Sequence, residues 1–444
     1  MNPAVTPDPR RWAALAVILT ATFLALFDTF VVNVAAPSIA ADLDASDGTL
    51  ELVIAAYAFT YAVGLITGAR LGDRLGRRRV FLSGMALFAL AAAACAAAPT
   101  APALVGARLL QGLGAAAMVP QVLATIQHLF GEAERPRAFS AFGAVAGAGV
   151  IAGQALGGVL LALDLFGLGW RAAFAVQLPI AAAALAAGAR VLPRDDDASR
   201  LTPDMRGSDD LDLPGAALLT LTLALLLAPL TLGHRALLAA APFAAVAFLL
   251  RQRRAAAPLL PPALLGDRAF VSGAVINLMF YAEISSFFLI VTLLLQDRLG
   301  LDALHAGLTF APLGAGFVAA SLARRGTLRG GLVLVCLTLA ALFPVAHTTH
   351  HALLIAPFML AIGVGNGCVL PRLLNSSLAR IAPANAGAAS GVLVTAQQVG
   401  AALGVAAVGA LGADLALAAA TLAVVVASAP RTARAAPDAS PARA

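Results

Sequence analysis

Apolar runs of membrane-crossing length recur along the whole chain, separated by short segments that carry nearly all of its charge. A helical crossing takes about 20 consecutive apolar residues. Runs of that order occupy 12–36, 49–71, 79–98, 103–127, 138–162, 172–192, 214–232, 236–250, 269–295, 304–323, 330–347, 352–374, 385–410 and 412–429. The pattern implies an all-α integral membrane protein with fourteen transmembrane helices. The run at 236–250 is short and the boundary between the last two is indistinct, so twelve or thirteen crossings stay open. The first run follows Arg10-Arg11 but is too long for a signal-peptide core and is kept as a helix. With 61% hydrophobic and 12% charged residues and a mean hydropathy of +0.90, the 444 residues lie outside soluble globular norms.

The net charge of +6 raises the question of nucleic acid, but the basic residues lie on no single face or stripe. All 29 are arginine, and they are dealt out between the apolar runs. Counted over alternate segments from the N-terminus, 25 fall on one side of the membrane; Arg108, Arg171, Arg235 and Arg298 are the other four. Basic residues are retained on the cytoplasmic side in short loops. Both termini are therefore expected in the cytoplasm, and the charge is read as topology rather than as nucleic-acid binding. Cys95, Cys336 and Cys368 all lie within apolar runs and are expected as small packing residues. His347, His350 and His351 cluster in an outer loop with no carboxylate or cysteine beside them, so no metal site is expected.

The chain also repeats itself. Gly112-x-Gly114 followed by Pro120 recurs 251 residues later as Gly363-x-Gly365 followed by Pro371, and Gly149, Gly153 and Gly158 recur as Gly400, Gly404 and Gly409. Six positions in phase across two consecutive spans indicate duplication. The expected domains are a six-helix bundle at 12–192, a linker with two extra spans at 193–268, a second six-helix bundle at 269–429 and a disordered tail at 430–444. Parallel halves with a path at their interface are a standard transporter plan. Because each chain carries both halves, a monomer should suffice.

Three features carry candidate chemistry. The hinge Arg70-Leu71-Gly72-Asp73-Arg74-Leu75-Gly76-Arg77-Arg78-Arg79 joins the second and third spans; its carboxylate can pair with arginines and Gly76 permits a sharp turn. The fifth span holds Gly143, Gly147, Gly149, Gly153, Gly157 and Gly158. Small residues four apart let helix backbones approach closely in lipid, in a static contact or in a moving interface between halves. A phosphate-cradling turn would need a preceding strand, which is absent. Asp28, Arg108 and Glu283 lie inside spans, where a charge costs at least about 2.5–3.5 kcal/mol. A carboxylate withdrawn from water can take up and release protons near neutral pH, whereas arginine stays charged. The Gly-x4-Gly-Lys-Ser/Thr motif is excluded because the chain has no lysine, and no cofactor is expected.

In sequence these residues resemble the major facilitator superfamily, specifically its fourteen-span drug:proton antiporter branch. Leu26-Phe27-Asp28 through Ala35-Ala36-Pro37 resembles that branch's acidic motif in the first helix. The hinge, with Asp73, Arg74, Gly76, Arg77 and Arg78, resembles the loop that latches the two halves on the cytoplasmic side. Arg108-Leu109-Leu110-Gln111-Gly112-Leu113-Gly114 resembles the fourth-helix motif linked to proton coupling. Gly149, Gly153, Gly157 and Gly158 are similar to the antiporter motif, and Gly400 and Gly404 to a late motif of the branch. Trp170-Arg171 with Phe174 and Pro179 resembles the entry to the sixth helix. Departures are Ala69 for glycine, Val150 and Gln154 for prolines, Ala172 for tryptophan and Gln177 for asparagine, together with a short loop at 324–329. The resemblance implies proton-coupled export of a small amphipathic molecule across the cytoplasmic membrane. Asp28 and Glu283 would be proton or cation sites, Arg108 would tune Asp28, and the fifth-span glycines would let the halves rock. An importer or facilitator on the same scaffold is the alternative.

Overall fold

The computed structural model describes residues 9–164, 167–193, 212–231, 239–255, 258–301, 303–323, 326–348, 351–382 and 385–411. The expected last span at 412–429, the tail at 430–444 and the linker at 194–211 lie outside the described residues, as does His350. The helices are α1 (Arg11–Leu43), α2 (Asp47–Leu75), α3 (Arg77–Ala96), α4 (Ala101–Leu129), α5 (Arg135–Leu163) and α6 (Gly169–Val191). They continue as α7 (Leu213–Thr231), α8 (Ala241–Arg254), α9 (Arg268–Leu293) and α10 (Ala303–Thr309, then Ala311–Ala323 after a turn at Phe310). The described chain ends with α11 (Leu328–Thr348), α12 (Ala356–Leu378) and α13 (Ala386–Leu411). Among the described residues nine helices, α1–α6, α9, α10 and α12, are long and apolar enough to cross a membrane; α7 and α11 hold shorter apolar stretches. At 14 residues α8 spans about 21 Å, short of the roughly 30 Å hydrocarbon core.

Local chemistry sets several boundaries. Ser46 caps α2 through Thr49 N, Thr100 caps α4 through Ala103 N, and Asp267 accepts from both Ala269 N and Phe270 N at the start of α9. Gly76, at φ +98°, is the one-residue break between α2 and α3. The first helix runs on through Pro37 to Leu43 rather than stopping at 36. Packed neighbours make a proline tolerable in a membrane helix. The extension also lets Asp42 accept from Trp170 Nε1 at 3.0 Å and Arg171 Nη1 at 2.6 Å, tying α1 to the start of α6. The fifth span contains one π-helical turn, Ala152–Leu156.

The packing repeats. In the first set α4 lies along α2 and α3, and α5 along α1; in the second, α12 lies along α10 and α11, and α13 along α9. The Gly-x-Gly repeats sit at the centre of each set. An added Cβ on Gly112 would strike the Tyr57 carbonyl of α2, and one on Gly114 would stand 2.6 Å from the Phe88 nitrogen of α3. Gly363 and Gly365 stand likewise against the Leu313 carbonyl of α10 and the Gly331 carbonyl of α11. Residues two apart point about 200° away from each other on a helix, so each pair admits one neighbour on either side. The sets meet where α2 faces α13 and where α5 faces α10 and α12, while α7 and α8 form a hairpin against α2.

Candidate functional site

Between α1, α4 and α6 lies a polar cluster sealed from solvent. Asp28, Gln111 and Gln177 are 0% exposed and Arg108 is 1%. Arg108 Nη1 donates to Asp28 Oδ2 at 2.5 Å and to Gln111 Oε1 at 2.8 Å, and Arg108 Nε donates to the Val53 carbonyl of α2 at 3.2 Å. The other carboxylate oxygen of Asp28 accepts from Gln111 Nε2 at 2.9 Å and Gln177 Nε2 at 3.1 Å. The guanidinium lies over the Tyr57 ring, 4.4 Å from its centroid. Both carboxylate oxygens of Asp28, and Nε and Nη1 of Arg108, thus have partners, which offsets the cost of burying the pair.

Asp28, Arg108 and Gln111 are brought together by this arrangement. Gln177, noted from the sequence only as a departure, is a direct ligand of the Asp28 carboxylate. The signal for it was a lone amide in an apolar run, four residues after Ala173, whose carbonyl it also holds. Glu283 stands elsewhere, in α9. It is 1% exposed, and neither carboxylate oxygen has a hydrogen-bond partner.

The hinge residues form a second locus. Asp73 and Arg77 pair at 3.5 Å across the Gly76 break. Arg77 Nη1 also donates to the Ala124 carbonyl of α4, Arg78 Nη2 to the Ala189 carbonyl of α6, and Arg70 to the Pro258 carbonyl beyond α8. Arg74 is exposed. The Asp73 carboxylate lies against Gly387, in the first turn of α13, so closely that an added Cβ would collide with it. A carboxylate at a helix N-terminus is electrostatically favoured. The same end is joined by Ala69 against Gly391 and by Gln127 Nε2, which donates to the Leu378 carbonyl at 2.9 Å. Towards the other end Phe30 of α1 meets Phe288 of α9, with ring centroids 5.3 Å apart.

The glycine ladder divides between two faces of its helix. Gly149 and Gly153 pack on α1, where added Cβ atoms would stand 3.0 Å from the Phe23 carbonyl and 2.7 Å from the Phe27 carbonyl; Gly157 faces Val31. Gly158 is buried as well. These contacts lie within the first set, not between halves. Gly143 and Gly147 are the glycines that face the second set, against Pro371 and Phe317. The cause is the helical repeat: Gly147 and Gly149 differ by about 200° and cannot share a face. Gly400 and Gly404 pack in the same way on α9, at the Leu278 and Ala282 carbonyls. Among the described residues no group of His, Cys, Asp and Glu is placed to hold a metal, and Cys95, Cys336 and Cys368 form no disulfide.

Residues 18–405 match the profile of the Major Facilitator Superfamily. The chain belongs to this superfamily. It is 36% identical over 429 residues to the probable actinorhodin transporter of Streptomyces coelicolor, covering 91% of this chain and 73% of that protein. It is 38% identical over 427 residues to the puromycin resistance protein of Streptomyces alboniger, covering 90% and 81%. Among solved structures the human organic anion transporter MFSD10 superposes with a TM-score of 0.68 over 95% of this chain and all of that one; at 19% identity the likeness is one of fold. As a member of the Major Facilitator Superfamily, the protein is a multi-pass membrane transporter and not an enzyme.

Proposed function

We propose that this transporter exports a small amphipathic drug, antibiotic or secondary metabolite across the cytoplasmic membrane in exchange for protons, as a monomer with both termini inside. The sealed Asp28–Arg108 pair carries the reading. Charge at that depth is costly, and in membrane helices it marks ion pathways and proton relays. Relatives named as a cephamycin export protein and a multidrug efflux pump support export as the direction. Asp28, Arg108 and Glu283 serve proton coupling, with Gln111, Gly112 and Gly114 seating Arg108. Asp73 with Arg77 latches the cytoplasmic gate, supported by its place against α13 of the other half. Gly149, Gly153, Gly157, Gly158, Gly400 and Gly404 hold α5 on α1 and α13 on α9, so each six-helix half moves as a body. The two extra helices, α7 and α8, support the reading of the chain as a member of the fourteen-span branch.

A toxicity panel in a pump-deficient host, with and without the protein, identifies exported compounds. Flux of a positive compound in inverted vesicles then tests the coupling: uptake must collapse when a protonophore dissipates the gradient. Protonophore-insensitive flux would leave a facilitator.

A further inference from the structure

The hairpin of α7 and α8 lies astride the seam along which the two sets meet. Ile66 of α2, Leu219 and Leu223 of α7, Phe248 of α8 and Leu259 beyond it form one buried apolar cluster. Val392 and Val399 of α13 pack against the same cluster. The second helix belongs to the first half and α13 to the other, so the hairpin touches both.

A polar chain runs through the hairpin to the hinge. Asp212, 5% exposed, accepts from Gly215 N at 3.0 Å, Arg251 Nε at 3.0 Å and Gln252 Nε2 at 2.9 Å. It thereby joins the start of α7 to the end of α8. Gln252 Oε1 in turn accepts from Leu260 N at 3.0 Å, which fixes the segment leaving α8. Two residues before Leu260, the Pro258 carbonyl accepts from Arg70 Nη2 of the hinge. Arg70 also lies within electrostatic reach of Asp73. Hinge and hairpin share one arginine.

Connectivity decides which half carries the hairpin. Only 13 residues separate Arg254 of α8 from Arg268 of α9, and within them the short helix Pro262–Gly266 packs on α9 with Leu264 buried. By contrast, 21 residues separate Val191 of α6 from Leu213 of α7. A short, docked tether therefore binds the hairpin to the second half. Its hold on the first half consists of the apolar contact with α2 and the Arg70 bond. Lipid tails are as apolar as leucine and can replace the apolar contact when helices part. They cannot replace a charged donor on a carbonyl, so that bond dominates the energy of separation.

Building on the transport reading, we propose that α7, α8 and their tether form a strap across the hinge end of the transporter, with Arg70 as its positioning residue. While Arg70 holds the Pro258 carbonyl, the strap keeps α2 against α13. The hinge end opens when that bond is released.

Spin labels on Leu75→Cys, at the end of α2, and Ala379→Cys, just after α12, measure the width of the hinge end. Both positions are exposed, and they belong to different halves. The full chain is studied in lipid nanodiscs by double electron–electron resonance, with Cys95, Cys336 and Cys368 replaced by alanine. The otherwise unaltered protein is expected to show mainly the short distance. Arg70→Met and Gln252→Ala, the latter far from Asp73, should each raise the open-to-closed ratio, Arg70→Met by about tenfold, the worth of one charge-assisted hydrogen bond. The double variant should open no further than Arg70→Met, because both changes act through one contact, and Arg70→Lys should restore the short distance. Leu260→Pro removes the Gln252 bond from the tether side and replaces Gln252→Ala if that variant does not fold. An unchanged distance distribution in the strap variants overturns the proposal, even where the unfolding midpoint falls, since a merely structural hairpin would lower stability alone. Effects that add in the double variant also overturn it. Failure of the transport reading is distinct: the distances would shift as expected, yet vesicles containing the wild type would move no compound of the toxicity panel.

Discussion

Removing Arg108 tests how much of the fold hangs on the buried cluster. In Arg108→Met the Asp28 carboxylate keeps only the Gln111 and Gln177 amides, at 2.9 and 3.1 Å, and loses its one cationic partner. Both members of the pair are essentially unexposed, so water cannot replace the guanidinium. Breaking a buried pair from one side costs about 3–5 kcal/mol. Asp28→Asn strands the guanidinium in the same way, with the Val53 carbonyl, Gln111 Oε1 and the Tyr57 ring left to it. The double variant buries no unpaired charge, and Gln111 and Gln177, already 3.4 Å apart, can bond to each other. It should therefore be far more stable than the sum of the single losses implies, with a coupling of about 3 kcal/mol, at the upper end for neighbouring side chains. The assay is denaturant unfolding of the four purified proteins in one detergent, read by the fluorescence of Trp12 and Trp170. Single losses that add to within about 0.5 kcal/mol would refute the reasoning and show that the two charges are separated in the folded protein.

Asp73→Asn removes the ion pair to Arg77 and the charge against α13, so turnover should fall several-fold while substrate affinity stays constant; a wild-type rate in vesicle flux removes Asp73 from the gate. Gly153→Leu forces a side chain against the Phe27 carbonyl and the Phe30 Cβ, 2.7 and 2.8 Å from the first added carbon. Overpacking of that kind costs about 1–3 kcal/mol or more, and an unchanged unfolding midpoint would show that α5 does not rest on α1. Outside the membrane, the bidentate hydrogen bonds from Arg11 hold the Glu134 carboxyl below its ordinary value of 4.5. The stabilisation is complete above that pH and is lost as pH falls through the lowered value, so Glu134→Gln should flatten the acid limb of a stability–pH profile. An equally steep limb in the variant would show that another group carries it. A reporter fused after Ala444 should be active only in the cytoplasm; activity on the other side would mean that the number of crossings is odd.

The membrane class, the helical runs, the hinge and the 251-residue repeat are legible in one dimension. They follow from transfer energies summed along the chain, from Gly76 where φ is positive, and from glycines kept wherever two backbones touch. Asp28 and Arg108 could be singled out for the same reason, since a charge in an apolar run is costly wherever it points. What the run of residues does not encode is rotation and register. Gly147 and Gly149 look alike in the sequence but face different halves, because two residues turn a helix by about 200°. Gln177 reads as a substitution until α6 brings its amide to Asp28, and Asp42 reads as a loop acid until α1 extends past Pro37 to meet Trp170 and Arg171. The one-turn shift of α9 against α13 likewise exists only in the fold: Gly400 and Gly404 press on Leu278 and Ala282, which lie 255 residues, not 251, after the Phe23 and Phe27 that Gly149 and Gly153 meet. That shift is decided by how two helix surfaces pack, an energy that exists only between elements and therefore only in the tertiary structure.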